Sequence, residues 1–194
     1  MQNKKIITPT RVEIYMESQC PDTSRFIKKQ LTKAVEVIGW NQNWEVTIVP
    51  FGKARCTEQD DDFRCECQHG QAECEINILM NCVIDQVGFP ERYIDHIVCM
   101  QGKYTYDEAF KCVQAAGNLN TDRINTCAKG KRGRKLLALA GQKTVGLNPA
   151  LDFVPWVMID GSRNSDAFYD LTQNVCQAMR NPPTTCTDYL KSVV

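Results

Sequence analysis

Eleven cysteines in 194 residues constrain this chain more than any other feature. Such a density is stable as a disulfide framework in an oxidising compartment, or as a set of metal ligands. The repeated short Cys/His spacing that closes a zinc site is missing, so bridges are expected and neither a metal nor a cofactor is. Eleven is odd, so at least one thiol stays unpaired or bonds another molecule. Cys20, alone near the N-terminus, is the candidate for that role. The other ten can form five bridges: Cys56, Cys65, Cys67, Cys74, Cys82, Cys99, Cys112, Cys127, Cys176 and Cys186.

Cys20 stands in Cys20-Pro21-Asp22-Thr23. A C-x-x-C pair at the start of a helix, just after a strand, is the working part of dithiol redox chemistry. Here the first sulfur is present and threonine occupies the second position.

The chain divides into two kinds of sequence. Val12, Ile14 and Met16 alternate through Arg11 to Glu17 and read as a strand. Phe26, Ile27, Gln30, Leu31, Ala34, Val35 and Ile38 then keep a helical period from Thr23 until Gly39. Trp44 to Val49 reads as a second strand, and a strand-helix-strand unit places its two strands parallel. Regular structure resumes with a strand over Phe153 to Gly161 and a final helix from Asp166 to Met179. Residues 52–147 carry eight of the eleven cysteines. They show helical patterns over Glu73–Val87, Pro90–Met100, Thr105–Ala116, Asp122–Cys127 and Gly133–Thr144. The expectation is one α/β domain over residues 1–194, with its core at about 11–51 and 148–180 and a helical, cysteine-rich insertion at about 52–147.

Lys plus Arg and Asp plus Glu number 23 each, a balance with no global pull toward nucleic acid or membrane. No apolar run approaches the ~18 residues of a spanning helix. Met1-Gln2-Asn3-Lys4-Lys5 leads straight into the first strand, and a secretory leader is read as already removed.

The stretch Cys67-Gln68-His69-Gly70-Gln71-Ala72-Glu73-Cys74-Glu75-Ile76-Asn77-Ile78-Leu79-Met80-Asn81-Cys82 resembles the signature of the gamma-interferon-inducible lysosomal thiol reductase (GILT) family at every fixed position. Supporting matches run through Glu17-Ser18, Cys20-Pro21-Asp22, Cys99-Met100, Cys112, Cys127, Phe153-Val154-Pro155-Trp156-Val157, Cys176 and Cys186. The resemblance implies a thioredoxin-like core with a disulfide-bonded helical insertion. It also implies a cis Pro155 facing Cys20 and presenting backbone to a substrate. The family's redox pair falls on Cys20 and Thr23, and Thr23 cannot form a disulfide. Cys56 and Cys65 look like additions to the family pattern and are expected to pair locally. Cys176 is expected to pair with Cys186, and the other six are left unassigned.

At a helix N-terminus Cys20 keeps an environment that favours a thiolate. Attack on a substrate disulfide remains open to it, while release of the mixed disulfide has no internal thiol. Thr23 is expected only to donate a hydrogen bond to the sulfur. Three readings follow: a secreted binding protein without reductase turnover, a monothiol reductase or isomerase using an external thiol, and a trapping form or Cys20-linked homodimer.

His69 is read as a structural hydrogen-bonder, His96 as a packed boundary residue, and Glu73 and Asn77 as ties between the cysteine-rich loop and its helix. Lys129, Lys131, Arg132, Arg134 and Lys135 offer a basic loop for glycosaminoglycan or another anionic surface. Glu58, Asp60, Asp61 and Asp62 form an opposite, acidic pole. No Asn-x-Ser/Thr acceptor occurs, which removes the usual attachment point for lysosomal sorting glycans. Extracellular secretion is expected, with the lysosome as the alternative. The expected partner is an extracellular protein or a cell surface.

Overall fold

The computed structural model describes residues 8–193; the Met1-Gln2-Asn3-Lys4-Lys5 lead-in lies outside them. Strand β1 (Thr10–Met16) is followed by helix α1 (Pro21–Phe26), a π-helical turn at Ile27–Leu31 and helix α2 (Thr32–Ile38). Pro21 occupies the first helical turn, where its missing N–H costs nothing, so the helix starts ahead of the expected Thr23. Phe26, Ile27, Leu31, Ala34 and Ile38 are its buried apolar residues, and Thr23 is buried with them. Gly39 ends it at φ 69°, a conformation that glycine adopts without steric cost.

Strand β2 (Trp44–Pro50) pairs parallel with β1, in the register Val12 opposite Val46 and Ile14 opposite Ile48. Strands β5 (Trp156–Ile159) and β6 (Ser162–Arg163) complete a four-stranded sheet in the order β2-β1-β5-β6, with β5 antiparallel to β1. Val12, Ile14, Met16 and Val157 have no exposed surface, so the centre of this sheet is also the centre of the core.

Between β2 and β5 lie a hairpin, β3 (Arg55–Gln59) and β4 (Asp62–Glu66), and helices α3 (Gln71–Val87), α4 (Pro90–Met100), α5 (Tyr106–Gln114), α6 (Thr121–Lys129) and α7 (Lys131–Val145). Helices α3, α4 and α7 pack against β2, which joins this block to the sheet. The hairpin was not expected. Its strands bury none of their residues, so the alternation that marks a half-buried strand is missing. Its turn uses Asp60 and Asp61 at φ 48° and 59° in place of glycine.

The final helix also differs from expectation. Residues Asp166–Phe168 form one 3-10 turn, and helix α8 (Leu171–Ala178) starts afresh because the Asp170 side chain accepts a hydrogen bond from the Gln173 amide. A further helix, α9 (Thr184–Ser192), follows the Pro182-Pro183 pair and packs on α2 and α8.

Candidate functional site

All ten cysteines other than Cys20 are bridged. Cys56 joins Cys65 across the hairpin, and Cys176 joins Cys186 between α8 and α9. The six left unassigned from sequence pair as Cys67–Cys74, Cys82–Cys127 and Cys99–Cys112. Cys20 is the free thiol.

Cys20 sits at the cap position of α1, and its carbonyl accepts hydrogen bonds from the amide and hydroxyl of Ser24. Its Sγ lies 3.8 Å from the Val154 carbonyl oxygen, and only 9% of the residue is exposed. The Val154–Pro155 peptide bond is cis, and so is Asn148–Pro149. The thiol therefore faces the segment that leads into β5. Thr23 departs from the expectation that it would hydrogen-bond to this sulfur. Its Oγ1 is fully buried without a partner, and the sulfur is turned toward Val154 instead.

The loop that presents Cys20 is held by the helical block. The Ser18 amide donates to Asn77 Oδ1 at 3.0 Å, and the Ser18 hydroxyl donates to the Glu73 carbonyl at 3.3 Å. The Gln19 amide donates to Glu73 Oε2 at 3.3 Å, and its side-chain amide donates to the carbonyls of Lys103 and Tyr104. Gln101 Nε2 donates to the Glu17 carbonyl at 2.9 Å and to Ser24 Oγ at 3.1 Å. Glu73 and Asn77 thus reach across to the thiol loop, a wider role than tying the cysteine-rich loop to α3. Ser18, Gln19 and Gln101 escaped sequence reading, since nothing in their local pattern signals a partner so distant along the chain.

Glu17 and Glu73 are both fully buried and meet at His69. His69 Nδ1 is 2.7 Å from Glu73 Oε2 and 3.5 Å from Glu17 Oε2, and the His69 amide donates to Glu73 Oε1. Glu17 Oε1 accepts from the Lys53 amide at 2.6 Å, while its Oε2 has no hydrogen-bond partner. Burial is the main cause that raises the Glu17 pKa, against the Lys53 hydrogen bond, and the Glu73 carboxylate adds to the rise. Gly52, at φ 62°, is required beside it, because a Cβ there would run into the Glu17 side chain. His96 is half-buried on α4, and burial lowers its pKa.

The basic run is not the open loop that was expected. Lys131, Arg132, Arg134 and Lys135 lie in the first turns of α7, where the helix dipole opposes cations, and acidic partners offset this. Arg134 forks onto both oxygens of Asp62 at 2.9 and 2.7 Å, and these bonds hold the Asp62 pKa down at about 2. Arg132 pairs with Asp85 at 2.6 Å, and the Lys129 ammonium lies 3.5 Å from the centre of the Tyr106 ring. Lys131 also acts on Asp62 through space. The acidic pole is in contact with the basic one, and most of the anion-binding candidates are engaged within the chain.

Aromatic side chains adjoin the segments that hold Cys20 and Val154. Phe153, directly before Val154, meets Phe168 edge-on at 5.5 Å, and Phe168 meets the exposed Tyr169 at 5.1 Å. Exposed Tyr104 is tied to the thiol loop, its carbonyl accepting from the Gln19 side-chain amide.

Comparison with known proteins places this geometry. Residues 11–116 match the family described as gamma interferon inducible lysosomal thiol reductase (GILT). A GILT-like protein of Caenorhabditis elegans is 58% identical over 94% of this chain, which spans 57% of that relative's length. The gamma-interferon-inducible lysosomal thiol reductase of Mus musculus is 29% identical over 95% of this chain and 74% of its own. Reduced DsbA from Mycobacterium tuberculosis superposes with a TM-score of 0.66 at 14% identity, covering 100% of this chain and 97% of that one. The fold is thioredoxin-like, of the DsbA kind, and its five disulfides fit an extracellular or lysosomal lumen. The chain belongs to the GILT family.

Proposed function

We propose that this chain is a secreted GILT-family protein that keeps the thiol face of the fold without dithiol turnover, and that it works by engaging another protein at that face. One observation carries the reading. The position that would hold a resolving sulfur is the fully buried Thr23, and every remaining cysteine is committed to a bridge.

The chemistry follows from counting sulfurs. A Cys20 thiolate attacking a disulfide R–S–S–R′ forms Cys20–S–S–R and expels R′S⁻. Expelling RS⁻ requires a second thiolate, and the Thr23 hydroxyl neither ionises at neutral pH nor yields a disulfide through oxygen. The adduct then stands until an outside thiol attacks it. The Phe153, Phe168 and Tyr169 strip and exposed Tyr104 supply amphipathic contact area of the kind enriched at protein interfaces.

Purified chain mixed with excess aryl disulfide, with no added thiol, is expected to release one equivalent of thiol and then stop. Thr23→Cys is expected to convert that burst into repeated turnover once a reductant regenerates the pair. Release of two equivalents of thiol per chain, which needs a second chain thiol to displace the first adduct, overturns the proposal. A second reading, monothiol reduction with glutathione as the releasing thiol, rests on Cys20 being left unbridged beside the cis peptide bond. Restoration of turnover by glutathione alone selects it over a binding role.

A further inference from the structure

We propose that Glu17, His69 and Glu73 form a binding site for one divalent transition-metal ion of the zinc class. The sequence pattern pointed to no metal, because Glu17, just after β1, lies more than fifty residues before His69 and Glu73, which sit together at the start of α3. Folding gathers one nitrogen and two carboxylate oxygens within 4.8 Å of one another. A histidine with two carboxylates is a donor set suited to zinc.

Three further observations support the assignment. Glu17 is fully buried, and its Oε2 has no hydrogen-bond partner while lying 3.5 Å from His69 Nδ1. Ligands about 2.0–2.1 Å from a tetrahedral ion stand roughly 3.3 Å apart, so this separation already suits a shared metal. The shorter Nδ1 to Glu73 Oε2 distance, 2.7 Å, is that of a hydrogen bond holding a proton where the ion would sit. Exchange of that proton for the metal opens the pair by about half an ångström, which the partly exposed His69 ring can accommodate. The local charge favours a cation as well, since two buried carboxylates face one imidazole. The side chain of His69 is 33% exposed, which leaves an entry path and room for a solvent ligand. Glu73 also accepts from the Gln19 amide, so an ion here would stiffen the loop next to Cys20.

The test uses the disulfide-intact chain and zinc alone, titrated by calorimetry near neutral pH in two buffers of different ionisation enthalpy. One ion per chain is expected, with proton release on binding. His69→Ala and Glu17→Gln, each checked for retained fold by circular dichroism, are expected to weaken binding at least about 100-fold. Cys20→Ser is expected to bind like the unaltered chain. Should either site variant fail to fold, the spectrum of the cobalt-substituted unaltered chain decides. Nitrogen and oxygen ligation without a sulfur charge-transfer band supports the site, and such a band overturns it. The proposal also fails if no one-to-one complex forms below about 1 mM zinc, or if His69→Ala binds as tightly as the parent. Failure here leaves the disulfide-turnover assay untouched, so the two readings stand or fall separately.

Discussion

The sheet and the helical block between β2 and β5 hold themselves together by different means. No bridge touches the four-stranded sheet, whose strands bury Val12, Ile14, Met16, Ile48 and Val157 almost completely. Four of the five bridges lie in the block, and the fifth ties α8 to α9. Apolar burial suffices where a strand is covered on both sides. Cross-links appear where short helices and an exposed hairpin hide too little surface to offset the entropy of ordering them. The free sulfur sits at the border between the two regimes, on a loop that leaves the sheet and is gripped by the block.

Removing individual supports tests this contrast. The largest effect is expected from Cys82→Ala with Cys127→Ala, which opens a bridge of sequence separation 45 between α3 and α6. Loop-closure entropy puts the loss at about 4 kcal/mol, against about 2.5 kcal/mol for the short Cys56–Cys65 hairpin bridge. Equilibrium urea unfolding measures both, and equal losses would break the entropic account. Next, Ile14→Ala in the bridge-free sheet is expected to cost about 3 kcal/mol through the cavity it leaves. Hydrogen exchange should then show faster opening of β1, β2 and β5 while α3 and α6 stay protected. A smaller effect of opposite sign is expected at the border. Thr23→Val removes a buried hydroxyl that bonds nothing and should raise stability by about 1 kcal/mol in the same urea measurement.

The last expectation concerns pH. Burial raises the Glu17 pKa, so this group stabilises the fold most below the ordinary glutamate value of about 4.3. That contribution is lost as pH rises through the elevated folded value. With chelator present, Glu17→Gln should flatten this part of the pH dependence of the urea midpoint. An unchanged slope would place the raised affinity elsewhere.

Sequence reached the sheet more easily than the grip on its loop. Alternation at Val12, Ile14 and Met16 and the parallel βαβ unit were readable because each signal is local and periodic. Sulfur chemistry at Cys20 and Thr23 was legible from two letters. The ties from Asn77, Glu73 and Gln101 were not, because a buried side chain reaching a loop more than fifty residues away leaves no pattern in its own neighbourhood. Helix α9 was hidden behind Pro182-Pro183, and its anchor, fully buried Cys186, was recognised as a sulfur without the helix that carries it. The cations of α7 show the same limit: composition records charge and omits the Asp62 and Asp85 partners that folding supplies.

Glu73 sits directly before Cys74, whose partner Cys67 stands two residues from His69. The carboxylate that receives the Gln19 amide is therefore fastened by a sulfur-sulfur bond on one side and an imidazole on the other. Cleavage of that single bond by a reducing milieu would slacken the perch of Cys20 without touching Cys20 itself. The reach of the thiol would then follow the oxidation state of its own surroundings.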